Sequence, residues 1–211
     1  MQTNPWINKV ELMKYFIFLF CAFLPIRVLS NPLLPLIPQN QYLAALNYFR
    51  NGEPSGCGLR ITGITKDELW INALVMVSMK ESGNLFGVFK VEHKKITMKD
   101  DKPLILDGKV VYSSAGNIYK GWIKTDSGFQ FLASKDGGDP HNDGYMAPME
   151  FGNAVNLLIA IQQENFRVGF NRKGDETEYV YEFNERITQK EAANLLSCMN
   201  SLKDAREGKG L

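Results

Sequence analysis

No run of apolar residues in this 211-residue chain is long enough to cross a bilayer as a helix, which takes roughly 20. The longest, Tyr15 to Leu24 (YFIFLFCAFL), follows Lys14 and stops at Pro25. That length and those flanks suit the apolar segment of a secretory signal peptide. Val28-Leu29-Ser30 supply modest side chains at the −3 and −1 positions, so cleavage is expected after Ser30. The other reading of the segment is an anchor that stays uncut. MKYFIFLF has the shape of a signal start, which makes Met13 the expected initiator. Cys21 lacks the small residue ahead of it that lipoprotein processing needs, since Phe18-Leu19-Phe20 precede it.

A dominant charge of one sign is missing too. Removing Lys9, Lys14, Arg27 and Glu11 with residues 1–30 from 24 basic and 23 acidic residues leaves 21 and 22, a net charge of −1. Such a balance provides no field to steer the chain to nucleic acid or to an anionic membrane surface. Low-complexity tracts and N-x-S/T acceptors are absent, and the latter absence is compatible with a bacterial source.

Histidine is scarce, with His93 and His141 alone. G-x-S-x-G, H-E-x-x-H, G-x-G-x-x-G and a phosphate-cradling glycine loop do not occur. Ser113-Ser114 sits in no nucleophile elbow, and the adjacent Ser134-Lys135 point to opposite sides of an extended chain. Asp100-Asp101 and Asp175-Glu176 fall in turn-like stretches and read as solvated surface. No catalytic residue is assigned, and the balance leans away from an enzyme.

Three cysteines are present, of which Cys21 leaves with the signal. The remaining Cys57 and Cys198, an even pair in an exported chain, are expected to form a disulfide.

Asn31 to Pro38 (NPLLPLIP) carries three prolines and reads as an extended leader. Gln39 to Arg50 places Tyr42, Leu43, Leu46 and Phe49 at helical spacing, with Asn51-Gly52 as its stop. From Cys57 to Ser134 the period becomes two: strands over Cys57–Ile64, Leu69–Met79, Leu85–Glu92, His93–Met98, Leu104–Tyr112, Ile118–Lys124 and Phe129–Ala133. Asp107-Gly108 and Thr125 to Gly128 mark hairpin turns. A helix is expected over Pro148–Gln163, then a hairpin pairing Asn165–Asn171 with Thr177–Phe183. Thr188-Gln189-Lys190-Glu191 opens a final helix as a capping box. The expected fold is α+β: a curved antiparallel β-meander sheet with one N-terminal helix and two helices toward the C-terminus. The domain is expected to span 39–203, with a flexible tail over 204–211.

One acidic stretch stands out. In DPHNDGYMAPME, Asp139, Asp143, Gly144 and Glu150 fall at positions 1, 5, 6 and 12 of a twelve-residue calcium loop. His141 at position 3 is a poor ligand for a hard cation, and no helix precedes the loop. A surface turn accounts for the same residues, since Asp, Asn and Gly populate turns and Glu150 suits a helix N-terminus. Calcium, through Asp139, Asp143 and Glu150, is therefore the alternative, and no other cofactor is expected. Alternating aromatics at Tyr119, Trp122, Tyr179 and Tyr181 suggest an exposed binding face, in residue types that anchor interfaces.

Together these features point to a periplasmic or secreted, disulfide-stabilised, non-enzymatic binding module acting through a protein partner, of the inhibitor, immunity-factor or envelope-assembly type. No nucleic acid and no stable membrane insertion after signal cleavage are expected. The alternatives are a periplasmic hydrolase whose residues meet only in the fold and a structural calcium-binding protein.

Overall fold

The computed structural model describes residues 35–132, 144–175 and 177–208. These are mostly β-sheet, 54% strand and 20% helix, with two helices, Phe151–Gln163 (α1) and Gln189–Glu207 (α2). The α+β expectation is thereby corrected, because the segment expected to form the N-terminal helix is a strand. Asn40–Arg50 is a strand, β1, paired antiparallel with Glu53–Ile64, β2. Its apolar spacing fits either period, and the turn decides between them. Asn51 and Gly52 have φ of 53° and 83°, the pair of positive values that a two-residue hairpin turn demands. The same Asn-Gly had suggested a helix stop.

The strands Leu69–Met79 (β3) and Leu85–Ile96 (β4) extend the first sheet in the order β1-β2-β3-β4. One side of β4 then carries two short partners in succession. Gly144–Met149 (β12) pairs with Gly87 to Glu92, and Tyr112–Ser114 (β9) pairs with Lys94 to Ile96. Pro148 lies within β12 and not in a helix. Lacking an N–H, it is tolerated because β12 is an edge strand.

Between β4 and β9 the chain makes two small hairpins, Met98–Lys99 with Lys102–Pro103 (β5, β6) and Ile105–Leu106 with Lys109–Val110 (β7, β8). Their turns, Asp100-Asp101 and Asp107-Gly108, again take positive φ at both residues. Thr97, Leu104 and Val111, seven residues apart, close a ring of three backbone hydrogen bonds of 2.8–2.9 Å at the junction. TMKDDKP and LILDGKV are thus a tandem seven-residue unit, alike in backbone pairing more than in side chains.

A second sheet has the order β11-β10-β13-β14, formed by Gln130–Leu132, Ile118–Thr125, Phe166–Arg172 and Glu178–Phe183. It shares with the two helices the task of covering one face of the first sheet. Leu59, Ile61, Ile71, Ala73, Val75, Val77, Phe89 and Val91 form that face and are buried. Against them lie Ile123, Phe166, Val168 and Phe170 from the second sheet, and Ala154, Leu157, Leu158 and Ile161 from α1. The α1 residues recur at the three- and four-residue spacing of a one-sided helix. Helix and sheet approach closely at Gly87, where a built Cβ would stand 2.5 Å from the Cβ of Ala154.

The opposite face of the first sheet bears Tyr42, Leu46, Trp70, Leu74 and Met76, with a polar chain across it. Thr62 Oγ1 donates to Asn72 Oδ1 (3.5 Å), Asn72 Nδ2 donates to Glu92 Oε2 (3.1 Å), and Lys90 pairs with Glu92 at 2.7 Å.

Helix α2 is held in three ways. Thr188 caps it by accepting from the Glu191 backbone N–H. The Glu191 carboxylate does not close the expected capping box but accepts from the Ala45 N–H of β1 at 2.7 Å. That bond satisfies one outward-facing amide of an edge strand, where unpaired donors invite aggregation. Cys198 is bonded to Cys57 of β2, with the Cα atoms 5.8 Å apart, inside the range a disulfide requires. The tail expected from residue 204 is helical as far as Glu207.

Candidate functional site

Helices α1 and α2 meet over the first sheet without filling the space between them. Only Leu195, Cys198 and Leu202 of α2 are buried, a narrow stripe in nineteen residues. Beside that stripe runs a groove of about 480 Å³ lined by Val155, Leu158, Ile159, Ala193, Leu196 and Met199, among others. Leu196 is 63% exposed and Ile159 48% exposed. Near Met199 lies a second hollow of about 400 Å³, lined by Phe151, Leu202, Lys203, Arg206 and Glu207 among others, with Lys203 and Glu207 3.7 Å apart. Helix α1 contains no charged residue in thirteen, although part of its surface is open. Solvent-exposed helix faces ordinarily carry charge, and exposed apolar clusters rimmed by polar groups mark interaction sites. The absence of charge from FGNAVNLLIAIQQ was the signal available in the sequence.

A different constellation lies inside the molecule. His93, on the inner face of β4, is completely buried. Its ring sits among Phe170, Tyr179 and Tyr181, with centroids 4.9–6.0 Å away. The Arg172 guanidinium, at the end of β13, hydrogen-bonds Nδ1, and Nε2 lies 2.8 Å from the Tyr181 hydroxyl. A guanidinium only donates, so Nδ1 is the acceptor and Nε2 carries the proton. Burial, followed by the charge of Arg172, lowers the His93 pKa to about 3. The imidazole is accordingly neutral at physiological pH.

The arginine is further framed by the Tyr179 ring, 4.3 Å from its Cζ. The Tyr179 hydroxyl donates to Asp175 Oδ2 at 2.7 Å, and the Thr177 N–H to Asp175 Oδ1 at 2.8 Å. Those bonds, Thr177's first, hold the Asp175 pKa down to about 2. The Asp175 bond, then burial, raises that of Tyr179, and burial raises that of Tyr181. Arg172 Nε is buried and has no hydrogen-bond partner among the described residues. The cluster holds a base that cannot readily take a proton beside a cation that never loses one. This arrangement suits a packed structural junction better than general acid–base chemistry, which needs a pKa near the working pH.

The aromatic residues expected to share one face do not. Tyr181 is completely buried and Tyr179 half-buried on the inner side of the second sheet. Trp122 lies on the outer side beside Gly169, with its indole N–H donating to Glu178 at 2.9 Å. Tyr119 is exposed at a break in the β10–β13 register. Strand alternation reverses sides at every residue, so only positions in register across neighbouring strands share a face. Of the calcium-loop residues, Asp139, His141 and Asp143 lie outside the described residues, and Glu150 is exposed at the N-cap of α1 without a side-chain capping bond. No group of three His, Cys, Asp or Glu side chains suited to a metal occurs among the described residues. No family model, curated protein or solved structure matches this chain.

Proposed function

We propose that the chain is an exported, disulfide-stabilised, non-enzymatic binding module that engages a protein partner through the groove between α1 and α2. The observation that carries this reading is the open apolar lining of that groove, Leu196 and Ile159 above all. Two antiparallel strips of helix separated by an apolar trench are the receptor half of helix-in-groove recognition. Leu196 and Ile159 contribute little to the chain's own core, so their apolar surface is free for a partner at about 25 cal/mol per Å² covered. The crosslink from Cys198 to Cys57 fixes one wall of the trench. A pre-formed wall lowers the ordering cost of association, and an exported, oxidising setting is where such a bond persists.

The test uses the oxidised chain, from Asn31 onward, as bait in envelope and secreted fractions of the source organism, in calcium and in chelator. One stoichiometric protein held by the wild type in both conditions and lost with Leu196→Asp is the expected result. Retention that is indifferent to Leu196→Asp would move the site elsewhere. Retention in calcium alone would restore Asp139, Asp143 and Glu150 as a metal-dependent element.

A further inference from the structure

We infer that the His93–Arg172 contact is an acid-sensitive latch, whose protonation releases the β13–β14 end of the second sheet together with the N-terminal segment bonded to it. The argument begins from geometry. His93 Nδ1 accepts from the guanidinium and Nε2 faces the Tyr181 hydroxyl, so both ring nitrogens are committed. A proton delivered from solvent can add only at Nδ1. It would place an N–H against the N–H groups of Arg172, donor against donor, and two positive charges at hydrogen-bond distance beside a fully buried ring.

The surrounding groups do not relieve that conflict. From β14 come Tyr179 and Tyr181, both neutral. The β13–β14 turn supplies Asp175, already engaged by Thr177 and Tyr179. Asp67 of the β2–β3 turn acts on Tyr181, the residue behind the ring. On β4 itself, Glu92 and Lys94 flank His93 but project to the opposite face, where Glu92 is paired with Lys90. β3 contributes Ile71, the cross-strand neighbour of His93. No carboxylate among the described residues hydrogen-bonds the ring. The low proton affinity of His93 agrees with this geometry.

The same geometry says what would move. β4 is paired along its length with β3 and, on its other side, with β12 up to Glu92 and β9 from Lys94, whereas β14 is the edge of the second sheet. Among the described residues the outer side of β14 is paired by Leu36, whose N–H donates to Val180 O and whose carbonyl accepts from Glu182 N–H, at 2.8 and 3.0 Å, while Gln41 Oε1 accepts from Asn184 and Glu185 N–H just past the strand. The two Leu36 bonds bracket Tyr181. Loss of the His93–Tyr181 and His93–Arg172 contacts therefore frees β14 and the segment around Leu36 as a unit.

Amide hydrogen exchange of the full oxidised chain, corrected for the intrinsic pH dependence of exchange, tests this. Linkage of one proton makes opening roughly tenfold easier per pH unit below 6.5, so protection of 36–37 and 178–183 should fall about 100-fold by pH 4.5. Peptides from β2 and β3 should stay better protected than β14 at every pH, losing no more than the fall in global stability accounts for. His93→Gln, neutral and still able to accept from Arg172, should abolish the fall. Equal protection of wild-type β14 at both pH values would overturn the inference, as would an undiminished fall in His93→Gln. A second readout does not depend on that variant folding. With two histidines in the chain, His141→Gln identifies the His93 ring signals. Titration of His93 near 6.5 with the second sheet intact would also refute the latch.

Discussion

Removing the Cys57–Cys198 bond by the double substitution Cys57→Ala/Cys198→Ala probes what holds the groove open. The bond spans 141 residues, so on the chain-entropy model its loss costs about 5 kcal/mol, with measured bridges more often giving 2–4. Against a total stability of roughly 5–15 kcal/mol for a domain, that is a large share. The structure says where the loss is felt first. Helix α2 buries only Leu195, Cys198 and Leu202, each leucine contributing about 1.5–3 kcal/mol. Ordering each residue of its backbone costs about 1–2 kcal/mol, so so narrow an apolar stripe depends on the tether. We expect α2 to leave the sheet before the sheet unfolds. Far-UV circular dichroism reads this directly, because α2 supplies 19 helical residues and α1 supplies 13. Trp70 and Trp122 lie on β3 and β10 and report the sheets separately. In urea, the double variant should lose more than half its helical signal ahead of the tryptophan transition, with the overall stability lower by about 3–5 kcal/mol. Coincident transitions with a loss under about 1 kcal/mol would refute the claim that the bond fixes this helix.

Leu196→Asp and Ile159→Asp, being at exposed positions, should each change urea stability by less than about 0.5 kcal/mol, which makes them clean probes of binding. Gly87→Ala should cost about 1–3 kcal/mol by overpacking, because its methyl would meet Ala154 and Met149. Chemical denaturation of the pair at neutral pH measures it. Acid should destabilise the fold through His93. Its folded pKa of about 3 lies below the ordinary value of 6.5, so the unfolded chain binds the extra proton. Stability is then complete above pH 6.5 and declines by about 1.4 kcal/mol per pH unit toward pH 3. A urea midpoint that stays constant from pH 7 to 4.5 would contradict this.

The hairpins after Cys57 were legible because each strand has one covered face, and alternation records that directly. The segment 40–50 was not, since Tyr42, Leu43, Leu46 and Phe49 satisfy a helical stripe as well as a strand flanked by aromatic residues. What settles it is pairing with β2 through a turn that both periods permit. Pro148 misled for a related reason, since an edge strand and a first helical turn tolerate the same missing N–H. The site was less legible still. His93 lies 79 and 88 positions from Arg172 and Tyr181, a separation no local motif can encode. Leu195 and Leu196 are equivalent in sequence, and the packing of α2 on β1 and β2 buries one and exposes the other.

The central claim is that a protein partner sits between α1 and α2. The most direct test places a photo-crosslinking residue at position 196 and, in a second chain, at position 42. Tyr42 is 61% exposed on the uncovered face of the first sheet, which makes it a control of similar accessibility. Both oxidised chains would be irradiated in the source organism's envelope and secreted fractions. A single discrete adduct from position 196 and none from position 42 is the result expected. An adduct from position 42 alone, or none from either, would contradict the account.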